Sequence, residues 1–371
     1  MSAAPTQAPG RTPDQTPAPD HAPDHAPDHA QDRPPAPATP VRTARPFWRR
    51  VDPALAQMAA LTIAVFVLMA ALNPEKFLRP YVFESITYVA PELGLLSIAM
   101  MLAMLTGGID LSVVGLANLS GILAGLFFHA WGGARGPELT QMAPGPVALG
   151  ILIALLTGAV GGAINGVLIA RARITPILAT IGTGQIFTGI ALVLTGGPAI
   201  VGFPRGWGFF GNGQIAGIAV PLILFVLVAA AVWLMLGRTA FGISLRLTGT
   251  NLKAARFAGL RTGRTIFLSY LLSGVLAAMA GILLSGRTNA AKSDYGVSYV
   301  LQAVLIAVLG GTNPAGGRGS VPGIALALLA LMLLSSGLQL MRFSNFLVDF
   351  IWGAFLLLSI ALNALRTRRG R

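Results

Sequence analysis

From Pro146 to Ala170 the chain reads PVALGILIALLTGAVGGAINGVLIA, 25 residues without a formal charge. A helix that crosses a bilayer needs about 20 apolar residues in succession, so this stretch alone can span a membrane. Working outward, comparable runs fall near 54–72, 84–105, 111–130, 176–195, 216–236, 265–285, 298–310, 320–339 and 345–365. The pattern predicts an all-α, polytopic membrane protein with about ten transmembrane helices. The second, third and eighth runs are the weakest, because Glu84, Pro91 and Glu92 interrupt one and glycines bound the others. Composition agrees: 54% of the 371 residues are hydrophobic and 11% are charged, against about 25% charged in soluble domains. Gly158, Gly161, Gly162 and Gly166 recur at near-helical spacing, which reads as a surface for close helix packing.

Residues 1–46 differ sharply from the body. They hold 12 of the 25 prolines, and Ala-Pro-Asp-His occurs three times between Ala18 and His29. Such a segment cannot bury enough apolar surface to offset its ordering entropy. It reads as a disordered, cytoplasmic tail before a transmembrane domain at 47–371. The His and Asp repeat could hold a divalent metal weakly; a solvated extension is the simpler reading. It is not a signal peptide, since the first apolar run begins only after about 50 residues. Cysteine is absent and His129 is the one histidine of the body. No metal site, cofactor or catalytic cluster is expected there.

The net charge of +13 marks loop orientation rather than nucleic-acid binding, because cytoplasmic loops of membrane proteins collect Lys and Arg. With ten spans and the N-terminus inside, 17 basic residues fall in inner segments after the tail and seven fall outside. Both termini are then cytoplasmic.

Polar residues within the runs suggest a path. Asp110 follows two glycines and precedes a helix. It serves either as a cap for that helix or as part of a route through the protein. Asn118, Asn165, Thr183 and Gln185, with Asp110, are the candidate path residues. Hydroxyl and amide groups donate and accept and so suit a neutral polyhydroxylated solute, although they also join helices inside membranes. The loop between Gly237 and Thr265 carries six basic residues and no acid. Within it, Asn251 can cap a short helix that Ala254 and Ala255 favour, with Arg256 on it and Gly259 ending it. Either it retains positive charge on the inner side or it docks on a cytoplasmic partner.

Four stretches resemble one known family. They are Thr-Gly-Gly-Ile-Asp-Leu-Ser-Val at 106–113, Asn165-Gly166 with Ile174-Thr175-Pro176 and Thr180 to Thr183, the loop from Gly249 to Leu260, and Leu309 to Gly319. In that order they resemble the permease subunits of bacterial ATP-binding-cassette sugar importers, the family of ribose, xylose and autoinducer-2 permeases. Ala258 departs from the family's usual serine, and Asn313-Pro314-Ala315 replaces a commoner Ser-x-x. The resemblance implies pairing with a second permease subunit, two cytoplasmic ATPase subunits, and a periplasmic binding protein that delivers a sugar. It also implies that Asn251 to Leu260 is the coupling helix, in a bacterial inner membrane. The chain has no Gly-x-x-x-x-Gly-Lys-[Ser/Thr] phosphate loop, so ATP hydrolysis belongs to a separate subunit. Two rivals stand beside this reading: a permease for branched-chain amino acids or nucleosides of the same superfamily, and an autonomous secondary transporter.

Overall fold

The computed structural model describes residues 53–133, 137–344, 347–348, 350–354 and 357. The first helices are α1 (Pro53–Leu72), α2 (Pro74–Phe77), α3 (Pro80–Leu105), α4 (Val113–Gly132), α5 (Pro137–Thr140), α6 (Pro144–Ala170) and α7 (Pro176–Thr195). Short elements follow: β1 (Ile200–Val201), α8 (Arg205–Asn212), β2 (Gln214–Ile215) and β3 (Ile218–Ala219). Then come α9 (Val220–Arg238), α10 (Ala240–Thr250), α11 (Leu252–Phe257), α12 (Thr262–Thr288), β4 (Ala290–Ala291), α13 (Tyr299–Leu309) and α14 (Val321–Leu340). Proline occupies the first turn of α3, α6, α7, α9 and α14, where its missing N–H has no intrahelical partner to lose.

Among the described residues, eight helices are long and apolar enough to cross a membrane: α1, α3, α4, α6, α7, α9, α12 and α14. The count of ten needs one correction. The eighth run, 298–310, forms only the 11-residue α13. That is about 16 Å of helix, half of a hydrocarbon core of about 30 Å. The rest of the crossing is non-helical chain, residues 289–298, a two-residue strand followed by turns. β4 pairs antiparallel with β1, Ile200 opposite Ala291, and the Asn118 amide of α4 donates to the carbonyls of Ser293 (3.1 Å) and Tyr295 (2.8 Å). Non-helical backbone at depth persists only where protein surrounds it, and this pairing supplies the protein. The tenth run is helical at 347, 348, 350–354 and 357. Its remainder, the 1–46 tail and the C-terminal arginines lie outside the described residues.

The helices sort by burial. In α3, 89% of the best apolar window is buried, in α1 only 11%, so α3 forms the axis and α1 the rim. Pro91 lies inside α3 without ending it, which corrects the expectation of an interrupted run. Around that axis, α6 and α12 meet along glycines. A methyl group on Gly158 would overlap the Gly274 carbonyl, and one on Gly274 the Gly158 carbonyl. Gly162 and Gly166 lie against Tyr270 and Phe267 in the same way. Backbones approach this closely only without side chains between them.

The bundle has two ends. One carries the loops 106–112, 171–175, 239–261 and 310–320, and here exposed Arg171, Arg173, Arg246, Lys253, Arg261 and Arg264 gather. The opposite end carries α8, whose Trp207 packs on Phe128 (ring centroids 5.2 Å apart) and donates from Nε1 to Ser285 Oγ (3.1 Å).

Candidate functional site

Loop 106–112 is the point on which the chain's motifs converge. It begins where α3 stops: Gly107 takes φ +84°, a conformation glycine adopts without penalty, and the amide N–H groups of Gly107 and Gly108 turn back onto the Met104 and Ala103 carbonyls. The loop then places Asp110 just before α4. Asp110 Oδ1 accepts from the Ser112 N–H (3.1 Å) and Ser112 Oγ (2.6 Å). Its Oδ2 accepts from Ser273 Oγ of α12 (2.7 Å). Ser112 Oγ in turn accepts from Asn165 Nδ2 of α6 (2.7 Å), and Asn165 Oδ1 accepts from Thr183 Oγ1 of α7 (2.6 Å). Thr180 Oγ1, one turn earlier, accepts from the Leu111 N–H (3.1 Å). Every side chain of this chain of bonds is buried. A carboxylate in such a place needs several donors to offset its desolvation, and here it has three. The Tyr270 hydroxyl, against Gly108, has no hydrogen-bond partner.

The five sequence-derived path residues therefore divide. Asp110, Asn165 and Thr183 are brought together in one closed network. Asn118 stands apart and holds the turns of the non-helical segment 289–298. Gln185 lies exposed on the outer face of α7. Sequence reasoning missed Ser112, Ser273 and Tyr270, since an isolated serine or tyrosine in an apolar run gives no local signal. It also missed a second polar cluster. Glu92 of α3, 1% exposed, is gripped by Arg287 at the end of α12 through Nε (3.2 Å) and Nη2 (2.8 Å), and Tyr299 donates its hydroxyl to Oε1 (2.8 Å). An acid at depth demands a cation, but an arginine at a helix end is too ordinary to be singled out as that cation from sequence.

At the basic end, Asn251 Oδ1 accepts from the Ala254 N–H (3.0 Å) and caps α11. Gly259, at φ +78°, closes it, with the Leu260 N–H returning to the Ala255 carbonyl (3.1 Å). Ala255 faces inward, whereas Lys253, Ala254 and Arg256 are exposed and Phe257 is 93% exposed. The loop 310–320 abuts the start of this segment backbone to backbone. The Gly317 N–H donates to the Leu105 carbonyl (3.1 Å), and Gly316 (φ +100°) leaves no room for a methyl beside Gly249. Loop 106–112 thus touches the 162–183 motif through Asn165 and Pro176, and the last motif through Ala315. Gly249 of the third motif rests on Leu105, the residue before that loop.

Comparison with known proteins gives the same family. The family described as "Branched-chain amino acid transport system / permease component" matches residues 82–360. The autoinducer 2 import system permease protein LsrD of Yersinia enterocolitica is 32% identical over 322 residues, 85% of this chain and 92% of its own. The ribose import permease protein RbsC of Bacillus subtilis is 35% identical over 299 residues, 80% and 88% of the two chains. LsrD of Escherichia coli K12 is 32% identical over 310 residues, 82% and 89%. No solved structure matches. With a family match over most of its length and relatives above 30% identity, the chain belongs to this family of ATP-binding-cassette importer permeases, a multi-pass transport component and not an enzyme.

Proposed function

We propose that this chain is the membrane-spanning subunit of an importer that carries a neutral sugar, pentose, hexose or related polyol, from a periplasmic binding protein to the cytoplasm. Energy comes from two cytoplasmic ATPase subunits, and a second permease copy or paralogue completes the path. The observation that carries this reading is α11: a capped, glycine-stopped helix, standing off the basic end, with Phe257 presented outward. A charge signal alone needs neither the cap nor the stop. The excess of basic residues at that end supports a cytoplasmic placement, and with it cytoplasmic termini.

A sugar is favoured over an amino acid by charge at depth. Glu92 is consumed by Arg287 and Tyr299, and Asp110 by Ser112 and Ser273, so neither of these buried acids is a free counter-charge for a zwitterion. The printed names of two relatives, for ribose and autoinducer 2, point the same way. Asp110, Asn165 and Thr183 act on the path by fixing the start of α4. Gln185, with its amide outside the fold, faces the second subunit or the path, since lipid would leave it unsatisfied.

The test is Ala254→Asp. A carboxylate carried into an ATPase groove meets a desolvation cost of several kcal/mol. The variant should reach the membrane in normal amount, yet lose the co-purifying ATPase and uptake of labelled sugar together. Retention of both would refute the docking role.

A further inference from the structure

Among the described residues, cavities open between the helices whose walls differ in kind. One, under Leu95, Leu155, Leu224 and Met279, is wholly apolar. Another, under Phe83, Leu222, Phe225 and Leu328, is nearly so. Both suit acyl chains. A third lies between α3, α13, α14 and the helical residues Val348 and Trp352, and eight of its twelve lining residues carry a hydroxyl, amide or indole group. Its volume is about 320 Å³, at the low end of the roughly 300–1,000 Å³ of ligand sites. It runs from Met332, near the middle of α14, to Gln339 and Ser85 at the opposite end of the bundle from α11.

The geometry points to this cavity as a binding subsite for a neutral polyhydroxylated solute of monosaccharide size, held within one permease subunit. Ser298, Ser336 and Gln339 offer donors and acceptors around an apolar floor of Val89 and Met332. The Trp352 indole forms one wall, fixed by its Nε1 bond to Ser335 Oγ (3.0 Å), and an aromatic face matches the C–H face of a sugar ring. Among the described residues, none that lines it bears a formal charge, so none of them offers a counter-ion to a phosphate headgroup or a zwitterion, and an acyl chain would strand the polar groups. Tyr299 lines the cavity and donates its hydroxyl to Glu92, which places the subsite directly beside the Arg287–Glu92 pair. The inference rests on the sugar-importer reading, deepens it, and can fail separately.

Because the chain lacks cysteine, Ser336→Cys in the full chain, in cells carrying the complete importer, gives one reactive thiol in the cavity. Its modification by a charged, water-soluble methanethiosulfonate is followed with D-ribose, D-xylose, D-galactose or L-leucine present, with Gly206→Cys on α8 as control. One of the sugars should slow labelling at 336 severalfold and leave 206 unchanged. Gln339→Leu should raise the KM for uptake of that sugar about tenfold, the loss expected for one hydrogen bond. Absence of protection by every sugar overturns the subsite whether or not uptake is seen, and equal protection by L-leucine overturns its chemical class. Protection in cells that import none of the sugars keeps the subsite and removes the importer reading.

Discussion

Replacing Arg287 by Met would leave the Glu92 carboxylate, 1% exposed, with the Tyr299 hydroxyl as its single remaining donor. Truncating one partner of a buried ion pair costs about 3–5 kcal/mol, mostly because the other charge stays buried without compensation. The Arg287 side chain is 25% exposed, so water can reach part of the vacated space, and the lower figure of about 3 kcal/mol applies. For a chain of this size, with an unfolding entropy of about 2.1 cal/mol/K per residue, that corresponds to a Tm lower by about 4 °C. Glu92→Gln in the same chain removes the stranded charge but keeps an acceptor for Tyr299, so the double variant should recover to within about 1 kcal/mol of the parent. Thermal unfolding of the purified protein in one detergent, run on the parent, both single variants and the double, measures the cycle. A single Arg287→Met variant that unfolds within about 2 °C of the parent would refute the argument. So would a double variant worse than either single.

Gly158→Leu should abolish stable membrane accumulation, because its side chain would enter the Gly274 backbone, whereas Gly182→Leu on the open face of α7 should accumulate normally; immunoblots of membranes decide. An impermeant thiol reagent applied to intact cells should label Gly206→Cys and spare Lys253→Cys, and the reverse pattern would invert the proposed orientation. Deleting residues 2–40 should leave sugar uptake intact, since that segment has no apolar anchor; loss of uptake at normal abundance would reveal a partner for the repeats.

Eight of the ten runs were legible as full-length helices because each is a long apolar segment, and an apolar segment of that length has few alternatives in a membrane. The run 298–310 gives a half-length helix for a physical reason. What carries the chain across there is strand pairing and an Asn118 clamp reaching 175 and 177 residues along the sequence, and no local pattern encodes such partners. Asp110 shows the same division. Two glycines before it and a helix after it disclosed the capping position, but Ser112 and Ser273 are two hydroxyls among many in apolar runs. Glu92 was legible as an acid at depth and its partner was not, because Arg287 stands at a helix end where arginines are ordinary. For Gln185 the sequence could supply polarity but not direction, since which face of α7 turns outward is decided by packing against α4 and α6.

The half-length of α13 has a mechanical consequence. Its first residue is tied to the centre of the bundle through Glu92, and the loop after its last residue is seated without slack on Leu105 and Gly249. A helix is stiff along its axis, and glycine contacts between backbones have no side chains to absorb displacement. A shift of the α11 segment by one helical rise, about 1.5 Å, is therefore delivered at Tyr299 nearly undiminished. The short helix behaves as a strut between the surface where a motor would push and the depth at which a solute would be held or released.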